Sequence, residues 1–228
     1  MVEWIWIKLS CSIYNVFGIY HVRSICRNRW RNVIMVLKRN EGMETPKGEM
    51  ATPQKLYNFL DEEFFFDADA AANSKNAKHD IYFSKSMDSL SFSWGDMIEK
   101  PYRNDKDYPS FFLNPDYSRG IIDKFTAKAR QEARKGSVVV SLLPVSTDTG
   151  WWNRNISSFD GKVAVEVRHI EGRVHYIGYT TDGKIKITPP PFSSCIVIFC
   201  RNHPYYWNQD RDPVMPIWGK TIVLKDLK

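Results

Sequence analysis

The sequence predicts an α/β fold, and three observations carry that expectation. Residues 111–143 read as strand, helix, strand in immediate succession. An amphipathic helix precedes them at 52–64, and from 163 onward the chain turns to short apolar strands separated by glycines and prolines. Strand–helix–strand order is the unit from which parallel sheets are built, so helices are expected to cover a sheet, followed by a strand- and hairpin-rich C-terminal part.

The front of the chain stands apart from that pattern. Residues 1–42 hold seven Lys or Arg against Glu3 and Glu41, a net +5, so the remaining residues carry only +1 of the chain's formal +6. The run H-V-R-S-I-C-R-N-R-W-R-N at 21–32 interleaves Arg with Trp and reads either as a contact for nucleic-acid phosphates and bases or as a solvated appendage. Residues 43–50 are polar with Gly and Pro and read as a linker. Thr52-Pro53 then predicts a helix start, Thr as N-cap and Pro at the first helical position. Leu56, Phe59, Leu60 and Phe64 recur on one face of it. Phe64 to Phe66 is expected to be a strand closed by Asp67-Ala68-Asp69, and the small polar run at 70–78 a turn into a second helix.

Ile81 to Phe83 reads as a further strand, Asp88-Ser89-Leu90 as a turn before a packed Trp94, and Pro101 to Pro109 as a charged loop. Phe111 to Leu113 is a short buried strand broken by Asn114-Pro115. From Ile121 to Lys135, Ile122, Phe125, Ala129 and Ala133 line one helical face, and Gly136 occupies a C-terminal cap position. Ser137 to Leu143 is β-branched and apolar, a buried parallel strand stopped by Pro144. Trp151-Trp152 opens a short helical piece ending near Phe159. Strands are then expected at Val163–Val167, Val174–Tyr179, Lys184–Ile187 and Cys195–Phe199, turned by Gly172, Gly178 and Asp182-Gly183. The tail from Arg201 has no readable period, and the chain has no internal repeat.

Composition narrows the function classes. With 43% hydrophobic and 14% aromatic residues the chain can bury a core. Cys11, Cys26, Cys195 and Cys200 form no C-x-x-C pair and have no His at zinc-finger spacing, so they read as free thiols in a reducing compartment, without a metal site. His169 and His175 read as hairpin flanks. No run of 18 apolar residues exists, which predicts no membrane span, and the N-terminus is a poor secretory signal, which predicts an intracellular protein.

Two stretches carry chemistry. Asn114-Pro115-Asp116-Tyr117 combines a side-chain amide, a proline-fixed backbone and an aromatic ring, a set that can hold a planar exocyclic amine. The same residues are also good turn formers. Asp67 and Asp69 stand at the carboxyl end of an expected strand, where open α/β sheets bind ligands, or else cap the helix expected next.

Taken in order, A-T-P-Q-K-L-Y at 51–57, F-D-A-D-A-A-A-N-S-K-N-A-K at 66–78, D-S-L at 88–90 with Trp94, F-F-L-N-P-D-Y-S at 111–118, K-A-R-Q-E-A at 128–133, V-V-V-S-L-L-P at 138–144, T-D-T-G-W-W at 147–152, E-G-R-V-H-Y at 171–176 and P-F-S-S-C-I-V-I-F at 191–199 resemble the phage-type DNA N6-adenine methyltransferase (Dam) family. The resemblance covers the stretch from Ala51 to about Phe199, a methyltransferase domain at 51–200. The 1–42 extension and the 201–228 tail lie outside it. It implies a Rossmann-like sheet with helices on both faces, S-adenosylmethionine (SAM) as cofactor, double-stranded DNA as partner, and a bacterial or phage-infected host cytoplasm. It further implies that Asn114 and Pro115 accept the hydrogens of a flipped adenine's amine while Tyr117 stacks on the base. Asp69 and Asp67, then Asp88, would meet the cofactor, and Thr52 and Pro53 would border its pocket. The family loop is usually N-P-P-Y, and Asp116 replaces its second proline. That departure leaves two readings, an active adenine methyltransferase and a degenerate one kept as a DNA- or protein-binding module. A cytosine-N4 or RNA-adenine substrate would suit the same loop chemistry. Trp151 and Trp152 either pack into the core or touch DNA.

Overall fold

Around one parallel strand–helix–strand unit the chain assembles a mixed sheet. The computed structural model describes residues 51–98, 108–158, 160–179, 185–188, 190–201, 217–218 and 221–224. The basic front 1–42 with Cys11 and Cys26, the 43–50 linker, residues 101–107 of the charged loop, Phe159, the Asp182-Gly183 turn and most of the tail lie outside the described residues.

The elements are α1 (Gln54–Phe64), β1 (Ala68–Asp69), β2 (Ser110–Leu113), α2 (Ile121–Arg134), β3 (Val138–Pro144), the single turn α3 (Gly150–Trp152), β4 (Ala164–Glu171), β5 (Tyr176–Tyr179), β6 (Ile185–Thr188), β7 (Ser194–Cys200), β8 (Ile217–Trp218) and β9 (Ile222–Val223). The main sheet runs β1-β2-β3-β7-β4-β8, with β9 also on β4. β1, β2 and β3 are parallel, and β7 enters antiparallel between β3 and β4. β5 and β6 pair as a separate two-stranded antiparallel sheet.

Strand alternation distributes the core over both faces of the sheet. Phe111, Leu113, Val139, Leu143, Val197 and Phe199 pack with Ile122, Ala129 and Ala133 of α2. Phe112, Val138, Val140, Leu142, Ile196 and Ile198 pack with Leu56, Tyr57, Leu60 and Phe64 of α1. Helices therefore cover both faces, as expected from the resemblance. All residues of β2, β3 and β7 are buried, the signature of central strands. Each fully buried Phe, Leu or Val side chain stabilises the fold by roughly 1.5–3 kcal/mol relative to exposure. Trp94 is a buried anchor against Phe83 and Phe111, Trp152 is buried and Trp151 packs against it, and Cys195 and Cys200 are core thiols. Gly136, with φ +106°, follows α2 as its left-handed terminator.

Several expectations are corrected. Thr52 does not cap α1; Pro53 is the cap residue and the helix starts at Gln54, because the Thr52 hydroxyl is engaged elsewhere. Phe64 to Phe66 is not a strand. Phe64 ends α1, Phe65 takes a left-handed conformation (φ 50°), and Phe64 and Phe66 stack with ring centroids 6.1 Å apart. A non-glycine residue there costs roughly 1–2 kcal/mol, which the burial of its two neighbours offsets. No helix follows β1 in the described residues 70–84; the chain folds back so that Asp69 and Tyr82 form one parallel bridge in place of the strand at 81–83. Gly178 is not a turn but a β5 residue opposite Lys186. The strand at 163–167 does not form a hairpin with the one at 174–179: β4 runs on to Glu171 and pairs with β7. His169 lies in β4 opposite Cys195, and among the described residues no cluster of His, Cys, Asp and Glu could hold a metal ion. No helix among the described residues is long and apolar enough to cross a membrane.

Candidate active site

Parallel β1 and β2 end side by side, and the loops leaving them bring the candidate residues together. Asn114 follows directly on Leu113 at the end of β2. Its side-chain Nδ2 donates to Thr52 Oγ1 at 3.0 Å, and its Oδ1 accepts from the Tyr117 hydroxyl at 2.7 Å. Both polar ends of the amide are thus gripped by residues far apart in sequence. Thr52 itself is buried at 1% exposure, and burial makes such a bond costly to lose.

Tyr117 is half-buried, and its hydroxyl also lies 2.9 Å from the Leu142 carbonyl and 3.2 Å from the Tyr176 hydroxyl, which in turn is 3.0 Å from Ser194 Oγ. The direction of this chain follows from donor counting. A phenol has one hydrogen, and the Leu142 carbonyl only accepts. Tyr117 therefore shares its one hydrogen between the Leu142 carbonyl and Asn114 Oδ1, so that Tyr176 donates to the Tyr117 oxygen and Ser194 donates to Tyr176. Burial pushes the Tyr117 hydroxyl well above the usual tyrosine range and raises that of Tyr176, so both keep their protons. The Tyr117 ring meets Tyr176 and Phe192 edge-on, with centroids 6.3 and 5.7 Å away. Pro115 is buried. Asp116 is exposed, and its Oδ1 accepts the Ser118 N–H at 2.8 Å, an Asx turn.

Asp69 ends β1, buried at 2% exposure. Its carboxylate accepts the backbone N–H groups of Ala71 (3.3 Å) and Lys78 (3.1 Å), so it shapes the loop 70–78 and caps no helix. Burial raises its pKa from 3.8 to about 6, against the lowering effect of those two N–H groups and the Lys78 charge. Burial in turn lowers the Lys78 pKa, and the Lys78 ammonium reaches Gln54 of α1 at 3.4 Å. Asp67 lies at the opposite end of the strands: it exchanges backbone and side-chain bonds with Ser110, at the start of β2. Asp88 is exposed in a left-handed conformation (φ 49°), and its carbonyl accepts from Ser91. The segment behind it is fixed by Glu132 of α2, fully buried, whose Oε2 accepts the Trp94 N–H at 2.9 Å, while Trp94 Nε1 donates to Ser89.

The structure thus brings Thr52, Asn114, Pro115 and Tyr117 together, gathers Asp69 and Lys78 at the neighbouring strand end, and sets Asp67 apart. Tyr176, Ser194, Phe192 and the Leu142 carbonyl lie in stretches that carry the family resemblance, but the sequence assigns them no role at the site. No local pattern links them to Asn114, since the Tyr117–Tyr176 contact spans 59 residues.

A sheet with three parallel strands, an inserted antiparallel strand, helices on both faces and a polar loop at the carboxyl ends is a Rossmann-like methyltransferase fold. Comparison with known proteins narrows the class. The chain belongs to the DNA N-6-adenine-methyltransferase (Dam) family, whose sequence model matches residues 42–212. It is similar to a DNA N-6-adenine-methyltransferase of Escherichia phage T1, at 28% identity over 119 residues. That match takes in 50% of this chain, and the chain spans 44% of the relative's length.

Proposed function

We propose that the chain transfers a methyl group from SAM to the N6 amine of an adenine in duplex DNA. The observation that carries this reading is the Asn114 amide, held at both polar ends beside the Pro115 backbone at the end of β2. An adenine amine is planar because its lone pair is delocalised into the ring. Acceptors placed at the Asn114 oxygen and the Pro115 carbonyl bind both amine hydrogens and favour a pyramidal nitrogen whose lone pair is free to attack. Holding Asn114 from two sides fixes that geometry before the base arrives, and fixed geometry is where most of the acceleration of such a transfer originates. Turning the base out of the duplex costs a few kcal/mol, recovered by contacts in the pocket.

When bound, SAM supplies a methyl group already activated on a sulfonium. Asp69 suits that cofactor's cationic end: it is a carboxylate at a strand's carboxyl edge, ionised above about pH 6. Asp88, Thr52 and Pro53 are the remaining candidates to border it, and Asp67 would act only through the β1–β2 join. Asp116 does not disturb the contacts of Asn114 or Tyr117, and its Asx turn supplies the constraint that a second proline would give.

The test is incubation with duplex DNA and methyl-labelled SAM, followed by nucleoside analysis. N6-methyladenine from the wild type and its loss in Asn114→Ala are the expected results. SAM binding without label in any nucleoside would refute the reading and favour a degenerate binding module, whereas N4-methylcytosine would move the target base.

A further inference from the structure

Strand β5 belongs to the small two-stranded sheet rather than to the main one, yet two of its consecutive residues reach the two flanks of the Asn114 amide. Tyr176, 1% exposed, meets the Tyr117 hydroxyl at 3.2 Å and the Tyr117 ring at 81°. Ile177 makes a paired backbone bridge with Ala51: Ala51 N–H donates to the Ile177 carbonyl at 2.8 Å, and Ile177 N–H donates to the Ala51 carbonyl at 3.0 Å. Ala51 immediately precedes Thr52, the partner of Asn114 Nδ2. One flank of the amide is therefore held through Tyr176 and Tyr117, the other through Ile177, Ala51 and Thr52.

We infer that β5 is a positioning strap for the catalytic loop and that Tyr176 is a positioning residue for methyl transfer, acting through the Tyr117 hydroxyl; this rests on the function proposed above. Donor counting sets the mechanism. Tyr176 donates to the Tyr117 oxygen, and a phenol that accepts a hydrogen bond donates a stronger one, here towards Asn114 Oδ1. Ser194, on the central strand β7, anchors the far end of the relay at 3.0 Å. The strap thus ties the amide plane to the sheet.

The test is a cycle of Tyr176→Phe and Tyr117→Phe in the full chain. Tyr176→Phe is expected to lower kcat about tenfold, the effect of one lost hydrogen bond expressed at the reacting geometry, with KM for SAM and for DNA within about twofold of wild type. In the Tyr117→Phe background the same change is expected to lower kcat less than about twofold, because the route through the Tyr117 hydroxyl is already gone. Equal losses in both backgrounds, or a rise in KM with kcat intact, overturn the inference. Should the wild type prove inactive on every nucleic acid, the proposed function fails on its own. The strap is then read from the Asn114 side-chain NH2 resonances in an asparagine-labelled 15N spectrum. They are expected to shift in Tyr176→Phe but not when that change is added to Tyr117→Phe, and an unshifted pair in Tyr176→Phe overturns it.

Discussion

Replacing Asp69 by Asn separates the stability cost of a buried carboxylate from its use. The folded carboxyl keeps its proton up to about pH 6, while the unfolded one releases it near 3.8. Between those values the folded state binds more protons than the unfolded state, so stability falls as pH rises through the window and levels off above it. The gap between 3.8 and about 6 corresponds to about 3 kcal/mol, set by burial and already reduced by the N–H groups of Ala71 and Lys78. Asn mimics the protonated carboxyl, so Asp69→Asn should lack this loss. Other groups slope the opposite way. Glu132 is pulled below the usual carboxylate range by Lys128 and Lys135 despite its burial, and Asp160 by Arg134 and Arg130. The quantity to measure is therefore the difference between variant and wild type, from urea unfolding at steps from below pH 3.8 to above about pH 6. A difference growing by about 3 kcal/mol in favour of the variant is expected, together with weaker SAM binding by calorimetry. Parallel stability curves would refute the idea that burial holds this carboxyl up.

Other substitutions probe the loop from different sides. Asp116→Pro should change kcat by less than about threefold, since the Asx turn already fixes the bend and the side chain is exposed; a large gain in methylation assays would show that the natural loop is impaired. Thr52→Val should lower kcat about fivefold, the effect of about 1 kcal/mol for a half-buried amide left without this acceptor, and Thr52→Ser should restore most of it. Equal rates for Val and wild type would place Thr52 outside the mechanism.

What was legible in the sequence is what short-range periodicity encodes. The β2–α2–β3 unit and the buried Trp94 each follow from residues a few positions apart, as does the α1 stripe except at Phe59, which is exposed while Tyr57 is buried in its place. The Asn114 loop is recognisable because its parts are adjacent. Pairings across long separations were not. Thr52 reads locally as a helix cap, yet its hydroxyl serves Asn114, 62 residues away. Three consecutive Phe read as a strand, yet their burial is satisfied by a helix end and a left-handed kink at Phe65. Asp67 and Asp69 look equivalent in a D-A-D run. Strand direction sends one to the amino end beside Ser110 and the other to the carboxyl end beside the loop 70–78.

The aim of Asn114 is tied to odd and even counting along β2. Phe111 and Leu113 enter the layer under α2, and Phe112 enters the layer under α1. Adding or deleting a single residue between Ser110 and Asn114 would exchange those layers and turn the amide to the other side of the sheet in the same stroke. A length change of one residue here would thus disturb the apolar layers on both sides of the sheet and the aim of the amide at its tip together.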